Sequence, residues 1–162
     1  MTGSEKPVLP LGPRSAARVG AVQALYQMDL AQTDLDDVIG EFLAGRVGPK
    51  AEDPALADAD TNFFSDILKG VVRRQREIDP LIDQQLAQGW RLTRIDSILR
   101  AALRAGVFEL LERTDVPARV VISEYIQVAQ AFFSEEEPRV VNGVLDKLAR
   151  RLRGSEFPPQ NA

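Results

Sequence analysis

Arg14 and Arg18 stand four residues apart, a spacing that sets two side chains on one face of a helix. Guanidinium groups pair bidentately with phosphate and stack on bases, whereas a lysine ammonium is a point charge. The pair is a candidate for two phosphates of a nucleic-acid strand; the alternative is two solvated arginines. Gln23 and Gln27 follow on the same stretch and share the side of Tyr26, where their amides suit base edges. Toward the other end of the chain, Arg139 lies at the start of a helix, where the backbone dipole is positive, and can also meet a phosphate. Asn142 and Gly143 come next. A glycine inside a helix costs about 1 kcal/mol relative to alanine. Either a close helix crossing or access for a ligand backbone must offset that cost, and close packing is the expectation here.

What is missing narrows the chemistry further. The 162 residues contain no cysteine and no histidine. Thiolate nucleophiles, disulfides and a Ser-His-Asp triad cannot be built, and the commonest metal ligand is gone. This argues against an enzyme. No glycine-rich phosphate loop occurs. The acidic run Asp34–Asp37 lacks calcium-loop spacing and suits a helix N-terminus instead. Glu135–Glu137 is likewise expected to be a polar turn before a helix. No cofactor and no metal are expected. The first twenty residues lack the apolar stretch of a secretory signal, and no run approaches the roughly 20 apolar residues of a membrane span. A cytoplasmic location is expected.

The net charge of −4 does not suggest a nucleic-acid binder, but its distribution is uneven. Residues 1–28 sum to +2, 29–66 to −8, 67–113 to +3, 114–137 to −4 and 138–162 to +3. If the three basic segments met in space, they would make a positive face on an acidic protein; otherwise they are solvated helix surface. Sixteen of the twenty bases are arginine, which fits phosphate recognition but is also what a GC-rich genome produces.

These side chains need helices to hold them, and the apolar pattern supplies helices throughout. Residues 1–13, with three prolines, are expected to be a flexible tail. Helices follow over Arg14 to about Ala31, Asp34 to Ala44, and about Ala59 to Glu77, with a break or a fresh start at Asp79-Pro80 and closure at Gly89. Residues 91–113 form the most apolar helix, the one expected at the centre of a bundle. Arg104 and Glu109 are charged positions on it, so both should be paired. Pro117 to Phe133 and Pro138 to about Leu152 complete the set, with 153–162 a second flexible tail. The expectation is an all-α fold, a compact bundle of about seven helices, with one folded domain over residues 14–152.

Ala21–Gln27 (AVQALYQ), preceded by Arg14 and Arg18, and Val141–Lys147 (VNGVLDK) resemble the NusB family. Gly70-Val71, Leu103–Leu111 (LRAGVFELL) and Asp115–Glu124 (DVPARVVISE) fall between them in family order and spacing. The resemblance runs from about Arg14 to Arg150. It implies two packed helical sub-bundles and a cytoplasmic transcription antitermination factor without cofactor. It implies binding to the boxA element of nascent, notably ribosomal, RNA together with the ribosomal protein NusE, and read-through by RNA polymerase. A homodimer is a further implied possibility. By resemblance, Arg14 and Arg18 belong to an RNA-contacting arm, Tyr26 to the RNA and partner surface, and Asp96 and Leu99 to the partner interface.

The chain departs from the family at four places. Ser15 and Ala16 stand where bases are frequent, Val140 where phenylalanine is frequent, and Leu99 where an acid is frequent. Asp96, one turn before Leu99, stands in for that acid. Two other classes compete: a non-catalytic helical dimerisation or scaffold protein, and the detached RNA-binding domain of an RNA cytosine methyltransferase.

Overall fold

In a computed structural model, residues 11–87, 90–134 and 136–158 are described. Six α-helices occur among them: α1 (Pro13–Ala31), α2 (Leu35–Gly45), α3 (Thr61–Gln85), α4 (Ser97–Glu112), α5 (Ala118–Phe132) and α6 (Glu136–Leu152). Two 3₁₀ turns, Pro54–Leu56 and Gly154–Glu156, accompany them. None of these helices is long and apolar enough to cross a membrane.

Short polar side chains set the helix starts. Asp60 accepts the Phe63 N–H at 3.0 Å, and Asp96 accepts the Ile98 N–H at 2.8 Å, each satisfying an otherwise orphaned donor. Asp34 caps α2 in the same way. Pro13 occupies the first position of α1, where its missing N–H costs nothing.

The packing divides into two groups. α1, α2 and α3 contact one another, as do α4, α5 and α6, and α4 joins the groups through α1 and α3. α4 takes this central place because ten of its residues are buried, among them Ala101, Ala102, Ala105 and Gly106. Small residues let neighbours approach closely. Gly70 of α3 shows why its position must lack a side chain: an added Cβ would stand 1.9 Å from the Phe108 ring. In the α1–α3 group, Phe42 and Phe64 stack with centroids 5.9 Å apart.

Four expectations change. Asp79-Pro80 does not break the chain into two helices; α3 runs through Pro80, so six helices replace the expected seven or so. Asp79 there holds Arg104 of α4 through two bonds of 2.8 and 2.9 Å, the pairing expected for that charge. The apolar helix starts at Ser97 rather than residue 91, since Asp96 caps it.

The tail expected from residue 153 is instead bonded to the helical body at Arg153 and Glu156. Arg153 is buried and donates to the carbonyls of Glu109, Leu110, Arg113 and Val116 at 2.8–2.9 Å. Glu156 pairs with it at 2.8 Å and accepts the first N–H of α5 at 2.8 Å. Residues 153–157 therefore lock the α4–α5 turn. The other change is at Gly143, where an added Cβ would meet nothing within 4 Å. No close crossing explains that glycine. The expected tail over residues 1–10 and the closure at Gly89 lie outside the described residues.

Candidate nucleic-acid interface

The four-residue spacing of Arg14 and Arg18 holds on α1, but the two side chains have different fates. Arg18 is 3% exposed. Its Nε and Nη2 donate to the two carboxylate oxygens of Glu109 at 2.8 and 3.0 Å, and its Nη1 donates to Glu124 at 2.8 Å. The Tyr125 hydroxyl donates to Glu109 at 2.5 Å. Burial opposes the Arg18 charge, yet the hydrogen bonds and charge of Glu109 outweigh it and raise its pKa. Tyr125 is held well above its ordinary value, by burial first and then by the Glu109 charge. Arg18 is thus a buried ion-pair member, with three of its five N–H groups on carboxylates and its side chain out of reach of a surface phosphate, which corrects its place in the RNA arm.

Arg14 keeps its place at the surface, with 43% of its side chain exposed. Its guanidinium lies 4.7 Å from the centroid of the Phe63 ring and donates to Asp115 at 3.2 Å. Arg113 shares both neighbours, at 4.9 Å from that ring and 3.0 Å from Asp115. The Arg113 hydrogen bond, more than the opposing desolvation, holds the Asp115 carboxyl down at about 2; Arg14 adds to the effect. A phosphate reaching Arg14 must compete with this carboxylate.

Gln23, Tyr26 and Gln27 come together as expected, on the wall of a cleft of about 430 Å³. The rest of the lining is apolar: Leu30 and Ala31 continue the same face of α1, and Ile98 of α4 and Phe132 of α5 complete the cleft. Leu30 is 59% exposed, unusual for a leucine with so much apolar surface beside it. Arg46 sits at this cleft as well, its guanidinium 4.4 Å from the Phe42 centroid. Gln27 donates to Glu41 at 3.0 Å, so its amide is partly engaged. Tyr26 is half-buried; the tyrosine with a tethered hydroxyl in the core is Tyr125.

Leu99 does not reach this surface. It is 1% exposed, because the capped start of α4 turns position 99 inward and position 98 toward the cleft. The partner-interface assignment of Leu99 is corrected to core packing, and Ile98 takes its place on the cleft wall. Asp96 is exposed but engaged as the α4 cap.

Arg139 and Asn142 are both exposed and line a second recess of about 320 Å³ with Ile126, Gln130, Ser134 and Pro138. α5 borders both recesses, giving Phe132 to the first and Gln130 to the second. Arg14 stands apart, about 18 Å along α1 from Tyr26 at 1.5 Å per residue. Sequence spacing could not reveal Phe132, Ile98 and Gln130, since each looks like an ordinary face residue of an apolar helix. Among the described residues no group of three acidic side chains could hold a metal ion.

The architecture and the motifs agree with known proteins. The NusB family model matches residues 15–150. The transcription antitermination protein NusB of Sinorhizobium fredii is 48% identical, over 94% of this chain and 96% of its own. That of Nitrobacter hamburgensis is 54% identical, over 89% and 90%. Among solved structures, T. maritima NusB matches with a TM-score of 0.74 at 27% identity, covering 90% of this chain and 96% of its own. A structure of antitermination factors NusB and NusE in complex with dsRNA matches with a TM-score of 0.65 at 25% identity, covering 85% and 96%. With the family pattern spanning nearly the whole described helical body, the chain belongs to the NusB family.

Proposed function

We propose that this protein is a transcription antitermination factor that binds boxA-type RNA of nascent ribosomal transcripts together with NusE and promotes read-through by RNA polymerase. The carrying observation is the family match over residues 15–150, among relatives described as transcription antitermination proteins. The work done is binding rather than catalysis, and its place is the cytoplasm.

Two surfaces carry that work, and Gln23 and Gln27 on the first serve RNA while bordering the partner. The cleft walled by Tyr26, Leu30, Ile98 and Phe132 suits an apolar segment of the protein partner. An interface gains most from buried aromatic and aliphatic anchors. Arg139 and Asn142, with Gln23 and Gln27 on the α1 side, suit RNA: a guanidinium for phosphate and amides for base edges. Arg14 adds a phosphate contact remote from both.

The test is a titration of a boxA RNA and a scrambled RNA, each with and without NusE, at two salt concentrations. Tighter and sequence-selective binding with NusE present is expected. Binding of neither RNA under any condition would overturn the proposal.

A further inference from the structure

A further groove opens between α5 and α6, beside the Arg139–Asn142 recess. Its volume is about 530 Å³, and Arg119, Ser123, Gln127 and Gln130 of α5 line one side. These positions recur every three or four residues, so they form one stripe. Asp146 and Arg150 of α6 line the other side, and Phe157 closes one end. That stripe continues through Asn142 and Arg139 by the same spacing. The groove and the Arg139–Asn142 recess share Ile126 and Gln130, so they adjoin and together trace a channel along α5 and α6.

The chemistry of the channel is that of a single-strand track. Arg119, Arg139 and Arg150 are exposed along it. The one acid in the groove lining, Asp146, is paired with Arg150 at 3.1 Å. At the closed end, the Arg150 and Arg119 guanidinium groups lie 4.8 and 5.9 Å from the Phe157 ring centroid. The ring holds both guanidinium groups at the groove; Arg150 donates its Nε–H to Asp146 and keeps its terminal N–H groups for phosphate. Gln127 and Gln130 are exposed amides, able to donate to and accept from any base edge. From Arg119 to Gln130 the helix rises about 16 Å, room for about five nucleotides at the stacked rise of about 3.4 Å.

We propose that the α5–α6 groove carries single-stranded RNA flanking the segment held at Arg139 and Asn142, with Arg119 and Arg150 on its phosphates and Gln127 and Gln130 at its base edges. The proposal rests on the RNA-binding function above and extends its footprint.

The test compares a boxA RNA with the same RNA carrying a short oligouridine extension at its 5′ or 3′ end, with NusE saturating. One of the two extensions is expected to tighten binding to the native chain. It should also steepen the plot of log affinity against log salt by about 1.4, at about 0.7 per phosphate neutralised. The gain then shrinks about sevenfold between about 50 and 200 mM salt. Arg119→Gln with Arg150→Gln should abolish that gain and leave the short RNA bound as before. Arg119→Lys with Arg150→Lys should keep the salt slope. Gln127→Glu, a single exposed change, should weaken only the extended RNA.

If the short RNA binds and neither extension adds affinity, the groove is no RNA track. The proposal also falls if the glutamine pair weakens NusE binding in the absence of RNA, since the groove then serves a protein. Failure of the short RNA itself to bind would overturn the underlying function together with its extension.

Discussion

Arg18 and Glu109, 91 residues apart in the chain, meet through two parallel hydrogen bonds of 2.8 and 3.0 Å inside the helix bundle. The pair ties α1 to the central helix α4, and Glu124 and Tyr125 extend it to α5. Three helices are thereby registered by one charged cluster whose remaining polar atoms are satisfied. Removing Arg18 leaves the buried Glu109 carboxylate without its counter-charge, with the Tyr125 hydroxyl as its remaining donor. Arg18→Ala should therefore destabilise the protein by about 3–5 kcal/mol, read from urea unfolding. A loss below about 1 kcal/mol would show that the cluster does not organise the core.

Arg14→Ala should behave in the opposite way. The side chain is half in solvent and its ion pair is weak in stability terms. Its loss should lower affinity about equally for boxA and scrambled RNA, since phosphate contacts carry no sequence information. The salt slope should fall by about 0.7. A loss confined to boxA RNA would remove Arg14 from the phosphate contacts.

Asp115 gives a pH signature. Its carboxyl is held at about 2 against an ordinary 3.8, through the Arg113 hydrogen bond before the contribution of Arg14. A depressed carboxylate stabilises the fold above its unfolded pKa. That contribution disappears as pH falls from about 4 toward about 2. Asp115→Asn should flatten this part of the curve of urea midpoint against pH while lowering the midpoint at neutral pH slightly. An unchanged acid limb would show that the pair is not formed in solution.

Neighbouring positions at the start of α4 should separate partner binding from folding. Leu99→Ala removes a fully packed side chain and should cost about 2–5 kcal/mol of stability, with NusE affinity unchanged at temperatures where the variant is folded. Ile98→Asp and Tyr26→Asp sit at the open cleft and should impair NusE binding while the helical circular dichroism spectrum stays native. Normal NusE binding by both folded aspartate variants would move the partner to another surface.

Two glycines test the packing directly. Gly143→Ala places a methyl group in open space on a helix and should stabilise by about 0.5–1 kcal/mol. Gly70→Ala drives a methyl group into the Phe108 ring and should destabilise by about 1–3 kcal/mol. Equal effects in thermal unfolding would contradict the α3–α4 crossing described here.

The local features of this protein are written in its sequence. Helix starts follow from Asp34, Asp60 and Asp96, whose side chains reach a backbone N–H only two or three residues ahead. The apolar stripes of α4 and α5, the family motifs and the grouping of Gln23, Tyr26 and Gln27 are legible for the same reason: helical periodicity is a short-range property. Whether a charged residue at a helix face is inside or outside is not. Arg14 and Arg18 are identical by type and spacing, and only Glu109 and Glu124, brought in from distant helices, make one a core residue and leave the other in solvent. The same holds for Leu99 against Ile98, for Arg153, whose carbonyl partners lie 37–44 residues earlier, and for Pro80, which the helix tolerates within α3. Burial is decided by what packs against a side chain, and that is a property of the assembled bundle.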